Sequence, residues 1–181
     1  MTDTEAVIAR DEEAEKQAEI LAQLDMVSVI ETKEIYDATT QAFPISLGKS
    51  VSKKERQERN LVKDSTLIYG EITFETLGMV FEKIKKVYGI PNQGASGSIG
   101  FLQRCGGIFY DLGSGTGKAV IAAAMLHNFD VCYGIEILEG LYSVSLDTLN
   151  AYNTKGRAKL PPREQDTRKN IHTIFSLRLF F

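Results

Sequence analysis

Ile108-Phe109-Tyr110-Asp111-Leu112-Gly113-Ser114-Gly115-Thr116-Gly117-Lys118 runs directly into the apolar stretch Ala119 to Leu126, and this segment decides the fold. A short apolar run, a glycine-rich turn and a helix-forming run read as strand, turn and helix. His127-Asn128 closes the helix, and Val131-Cys132-Tyr133-Gly134-Ile135-Glu136 reads as a second strand ending in an acid. The unit is βαβ, which implies an α/β chain with a parallel, doubly wound sheet and a ligand at the carboxyl ends of its strands. Glycines at 113, 115 and 117 let the backbone turn tightly and approach a ligand with no Cβ in the way, while the amides opening the next helix offer donors. Glu136 lies 19 residues beyond Gly117, where an acid can accept both hydroxyls of a ribose, so the ligand reads as a nucleoside. A dinucleotide fingerprint fails because Lys118 stands at its third glycine. A phosphate loop fails too, since its first glycine falls on Leu112 and the residue after the lysine is Ala119. Asp111 discriminates further: a carboxylate beside the turn attracts a cationic ligand and repels a pyrophosphate.

Upstream, Tyr69-Gly70-Glu71 precedes Thr73, an N-cap residue type. Phe74, Leu77, Val80, Phe81, Ile84 and Val87 then recur at helical spacing, and the helix should end at Gly89 and Pro91. Residues 92–107 are rich in Gly, Ser, Asn and Gln and read as a loop. From Thr4 to Ile30 there is no Pro or Gly, and Val7, Ala14, Ala18, Leu21, Leu24 and Val27 mark an amphipathic helix. Phe43-Pro44 and Gly48 are expected to punctuate a loop. Downstream, Leu141 to Tyr152 reads as helix, Pro161-Pro162 breaks it, and Ile171 to Phe181 is an apolar run, either a third strand cut short or sequence foreign to the fold.

The 181 residues carry a net charge of -3 and are 43% apolar, the profile of one soluble domain able to bury a core without crosslinks. Two cysteines without CxxC spacing and no recognisable leader point to a reducing, intracellular compartment, and no run approaches the length of a membrane span. Charge is unevenly spread. Residues 1–31 hold nine acids and two bases, residues 49–63 six bases and two acids, and residues 155–178 seven bases and two acids. The stretch Lys49 to Lys63 and the basic tail suit non-specific contact with a polyanion such as nucleic acid.

The acid-led glycine pattern is similar to that of S-adenosylmethionine-dependent methyltransferases. Taken with Tyr69-Gly70-Glu71 before Thr73-Phe74, and with Tyr133-Gly134-Ile135-Glu136, it resembles the Dot1-type histone methyltransferases over about residues 60–152. The resemblance implies a class I, Rossmann-like methyltransferase fold, S-adenosylmethionine as cofactor, histone H3 in nucleosomes as partner, transfer to a lysine, and action in the nucleus. It further implies that Tyr69, Gly70, Glu71 and Ile72 lie over the cofactor, that Phe109, Tyr110, Asp111, Leu112, Gly113, Ser114, Gly115, Thr116, Gly117 and Lys118 surround its methionine moiety, and that Glu136 holds the ribose. It identifies no catalytic residue and no metal ligand. Ile72 stands where a Thr is usual, and Lys118 where a Gln is usual.

The chain divides accordingly into a helical, charged region at 1–63, the amino-terminal part of a Dot1-like domain at 64–160, and a tail at 161–181. Only 45 residues follow Glu136, too few for the later strands, so the sheet is expected to be incomplete. The competing readings are a truncated, non-catalytic chain and a methyltransferase of the same class acting on another substrate.

Overall fold

The computed structural model describes residues 26–64, 67–88, 102, 105–160 and 170–175. Most of the expected loop at 92–107 lies outside these residues, as does the part of the expected Thr4–Ile30 helix that precedes Met26.

In chain order the elements are α1 (Met26–Thr40), α2 (Ile45–Glu58), α3 (Phe74–Tyr88), β1 (Ile108–Leu112), α4 (Lys118–Leu126), β2 (Val131–Glu136), α5 (Glu139–Ala151) and β3 (Ile171–Phe175), with a π turn and a 3-10 turn covering Tyr152–Lys159 after α5. The strands form one parallel sheet in the order β1-β2-β3. Ile108 pairs with Val131 and Leu112 with Ile135, and Cys132 pairs with Ile171. This is a mixed helix and strand arrangement consistent with part of a Rossmann-like fold. The βαβ unit stands where the glycine turn predicted it, and β3 supports the third-strand reading of the tail over 171–175.

The core lies on one face of the sheet. Strand alternation sends Phe109, Cys132 and Ile171 inward, and α4 is buried along almost its whole length from Val120 to Met125, as an apolar helix without a polar stripe must be. Phe81 of α3 meets Phe109 and Phe129 edge-on, with ring centroids 6.1 and 5.8 Å away. Tyr36 of α1 joins the same core, its ring 4.9 Å from that of Phe74. Lys33 and Glu75 tie α1 to α3 at 3.0 Å.

The opposite face carries Ile108, Tyr110 and Leu112, which stay 56, 55 and 58% exposed. Tyr110, Tyr133 and His172 stack across it at 5.1 and 5.4 Å. Among the described residues the helices thus cover one face of the sheet, where a doubly wound sheet has both covered.

Two expectations upstream need correction. The amino-terminal helix does not end near Ile30, because α1 continues to Thr40. Gly48 is not a loop residue: Pro44 stands extended at the N-cap of α2 and Gly48 lies inside that helix. The glycine is there for space, since a Cβ on Gly48 would come within 2.3 Å of the Tyr69 ring. The basic stretch from Lys49 is therefore largely helical. Part of its charge is internally paired, with Arg59 bound to Glu55 at 3.0 Å. Glu55 also caps α5 from outside, accepting the N–H groups of Glu139 and Gly140 at 3.0 and 2.8 Å. That caps a helix whose own N-cap residue, Leu138, supplies no side-chain acceptor.

Candidate functional site

The glycine turn after β1 needs its glycines for conformation. Gly113, Gly115 and Gly117 have φ of +85°, +55° and +77°, in the region that L side chains disfavour. The turn is anchored to β2 through its amides, with the N–H groups of Gly113 and Ser114 both donating to Ile135 O at 2.8 and 3.0 Å.

Above the turn lies the loop Tyr69–Ile72. The Tyr69 ring is wedged between Gly48 and Gly115, and a Cβ on Gly115 would meet it at 2.5 Å. Its hydroxyl donates to Glu71 Oε1 and lies 2.9 Å from Thr116 Oγ1. Burial, with the Glu71 carboxylate beside it, pushes the phenol well above its usual value, so Tyr69 keeps its proton. Glu71 Oε2 receives Lys118 Nζ at 2.5 Å, and the two side chains are only 18 and 11% exposed. Thr73 Oγ1 accepts the Thr76 N–H at 3.2 Å and lies 3.0 Å from Thr76 Oγ1, so Thr73 caps α3 as its residue type predicted.

Between loop and turn is a cavity of about 220 Å³. Tyr69, Gly70, Glu71, Ile72, Asp111, Gly113, Ser114, Thr116 and Lys118 line it, nine of the fifteen positions expected from the sequence, together with Ala119. Ala119 directly follows the motif, and that adjacency is the one sequence signal for it. The other expected positions lie elsewhere. Phe109 packs in the core, its ring 5.6 Å from that of Phe129. Tyr110 and Leu112 sit on the bare face of the sheet, because the two-residue period of a strand turns them away from Asp111. Gly115 lies under Tyr69, and Gly117 backs onto Ser145 of α5, where a Cβ would come within 3.1 Å.

Glu136 is 4% exposed and does not line the cavity. Its Oε2 accepts Gly115 N–H at 2.7 Å, and its Oε1 accepts the N–H groups of Ile137 and Leu138 at 2.8 Å each. The carboxylate therefore braces the glycine turn from below.

Asp111 is the opposite case. Burial, with the Glu136 carboxylate nearby, raises its carboxyl from 3.8 to about 6, and among the described residues no donor or cation compensates it. Ser114 also lines the cavity, but its Oγ is buried toward Gly134 of β2, without a hydrogen-bond partner among the described residues. A second cavity of about 400 Å³ adjoins the first and shares Glu71, Ile72 and Lys118 with it. Its remaining walls come largely from α1 and the start of α3, among them Lys33, Tyr36, Asp37 and Glu75. No motif in the sequence marks these four residues; only the packing of α1 brings them to the site.

Taken together, the arrangement offers an acid seeking a cation and open backbone at Gly113, where an added Cβ would meet nothing within 4 Å. Residues 102–158 match the family model described as histone methylation protein DOT1, a span that holds the strand, glycine turn, helix and acid but not the Tyr69–Ile72 loop. No curated protein sequence matches the chain.

Proposed function

We propose, from the match of residues 102–158 to the Dot1 histone-methylation model, an S-adenosylmethionine-dependent N-methyltransferase that acts on a lysine of histone H3 in nucleosomes. On this reading the three parallel strands are the first part of a class I methyltransferase sheet, with the cofactor at their carboxyl ends. The observation that carries the reading is Asp111, a largely buried acid without a partner among the described residues at the head of three positive-φ glycines. A ligand bearing an ammonium and a sulfonium offsets the cost of its charge, and a phosphate ligand would increase it.

The cofactor supplies a methyl group already activated by a positive sulfur. What remains for the protein is alignment and exclusion of water. Asp111 fixes the ligand's cationic end. Tyr69, pinned by Gly48 and Gly115, keeps the loop down over the turn and supports Glu71. Glu136 acts on the ligand through the turn it braces. Ile72, at the junction of the two cavities, is an apolar wall where an acceptor amine loses water, and desolvation favours the neutral, nucleophilic form of a lysine. Exposed Lys49, Lys53, Lys54 and Lys63 on and just after α2 suit contact with nucleosomal DNA, and a nuclear location follows from that substrate.

Isothermal titration of the chain with S-adenosylmethionine tests the cofactor, and no detectable heat at millimolar ligand sinks that part. Mass spectrometry of nucleosomes, free histones and RNA after incubation with the cofactor tests the acceptor. Methyl transfer to histone H3 in nucleosomes is expected, and transfer to RNA alone would overturn the substrate.

A further inference from the structure

Helix α2 reaches the glycine turn by two routes, one above it and one below. Above, Gly48 seats the ring of Tyr69, which lies on Gly115. Below, the Glu55 carboxylate accepts the N–H groups of Glu139 and Gly140, one on each oxygen, at 3.0 and 2.8 Å, and Arg59 donates to Ile137 O at 3.3 Å. The fit there is close, since a Cβ on Gly140 would come within 2.7 Å of the Val51 side chain. Ile137 and Leu138 are the residues whose N–H groups hold Glu136 Oε1, and Glu136 Oε2 in turn holds Gly115 N–H at 2.7 Å. A chain of contacts thus runs from Glu55 through the start of α5 to the turn.

The same helix has a second face. Gly48, Val51, Ser52 and Glu55 recur at three- and four-residue spacing and are buried or half-buried, while Lys49, Lys53 and Lys54 are exposed. The inward face is small and polar. Among the described residues no buried apolar side chain comes from α2, so hydrogen bonds and the seat at Gly48, rather than core burial, hold the helix down. An element with few buried apolar contacts sits at the low-stability end of a fold. Docking also sorts the charges. With Glu55 drawn toward α5, its side chain 15% exposed, Glu58 is the one acid left exposed on the helix. Released, α2 would carry the Glu55 carboxylate to whatever the lysines bind.

Resting on the cofactor and DNA readings above, we propose that Glu55 is a positioning residue for the cofactor site and that α2 couples that site to duplex DNA. DNA favours the docked helix, because there Glu55 is withdrawn from its phosphates. The cofactor favours the same state, because there Tyr69 and Glu136 are both held on the turn. A ligand shifts such an equilibrium by its difference in affinity for the two states, and two ligands that favour one state strengthen each other by equal factors. The chain therefore holds its cofactor best when α2 already lies against DNA.

Isothermal titration of the full chain with S-adenosylhomocysteine, alone and with a saturating short DNA duplex, tests the coupling. The duplex is expected to tighten S-adenosylhomocysteine at least about fivefold, the lower end of typical coupling between sites. Saturating S-adenosylhomocysteine should tighten a fluorescent form of the duplex by the same factor, read by anisotropy. In Glu55→Gln the affinity for S-adenosylhomocysteine should drop and its enhancement by DNA should disappear, whereas a merely structural role for Glu55 would lower the affinity and leave the enhancement intact. The enhancement is read first on the unsubstituted protein, so a variant that fails to fold does not shelter the proposal. An affinity that the duplex leaves unchanged, a duplex that does not bind, or an enhancement that survives in Glu55→Gln overturns the coupling and leaves the cofactor reading standing. Failure of S-adenosylhomocysteine and S-adenosylmethionine to bind, with or without the duplex, overturns both.

Discussion

The two acids that frame the glycine turn do opposite things. Asp111, at the end of β1, opens on the cavity with a carboxyl raised to about 6 and no partner among the described residues. Glu136, at the end of β2, is turned under the turn with three backbone N–H groups on its two oxygens. Both were read from the sequence as ligand-facing acids. Their different surroundings leave the carboxyl at one end of the turn electrostatically unsatisfied among the described residues, while the other is satisfied by the protein itself.

The largest expected effect comes from breaking the satisfied end. Glu136→Ala leaves three buried or half-buried donors without their acceptor, and the cost should be about 3 kcal/mol or more. Urea unfolding of the variant measures it. A loss below about 0.5 kcal/mol, the range of ordinary surface substitutions, would show that the carboxylate does not hold the turn.

Asp111→Asn should do the reverse, costing affinity and adding stability. Because the folded-state carboxyl is raised from 3.8 to about 6, the folded chain holds this proton more tightly than the unfolded chain. Its stabilising contribution is complete below the unfolded value and is lost as pH rises through the folded one. At pH 8 the ionised acid therefore weighs against folding, by an upward shift worth roughly 3 kcal/mol. Asp111→Asn should raise the thermal midpoint at pH 8, with little change at pH 4. Binding runs the other way. A cation binds the ionised acid, so affinity for S-adenosylmethionine should fall as pH drops below about 6 in the unsubstituted protein and be weak and nearly pH-independent in the variant. Calorimetric titrations across that range decide it, and a variant that binds as tightly as its parent would remove Asp111 from the site.

Gly48→Ala gives a smaller effect, but its sign is diagnostic. In an exposed helix interior, Gly to Ala stabilises by roughly 0.5 to 1 kcal/mol. Here the new methyl would meet the Tyr69 ring at 2.3 Å, so the change should destabilise instead and loosen the loop that covers Asp111. A raised unfolding midpoint would mean that Tyr69 is not pinned between Gly48 and Gly115.

The local parts of this picture were legible in the sequence and the cross-chain parts were not. The βαβ unit and the Thr73 cap depend on near neighbours, and each was found where periodicity and residue type placed it. Gly48 misled because glycine signals a turn on average, whereas its reason here, the ring of Tyr69, lies 21 residues away. The pairing of Lys118 with Glu71 spans 47 residues, and only the opposite charges of the two motif positions hinted at it. Glu136 was recognised as an acid at the right strand end. Its orientation is set by amides that the strand pattern does not reveal.

The smallest expected effect probes Glu136 from the ligand's side. A carboxylate has about four acceptor positions, and three of those on Glu136 are filled by N–H groups of Gly115, Ile137 and Leu138. One position on Oε2 remains, enough for a single hydroxyl. If Glu136 keeps its backbone donors when the ligand binds, removing one ribose hydroxyl from S-adenosylhomocysteine should weaken binding by less than about tenfold, the loss of at most one hydrogen bond. Titrations with the 2′-deoxy and 3′-deoxy forms measure the two hydroxyls separately. A loss well beyond tenfold for each would mean that Glu136 gives up backbone donors to take both. The contrast between its satisfied carboxylate and the unsatisfied one of Asp111 would then hold for the empty site alone.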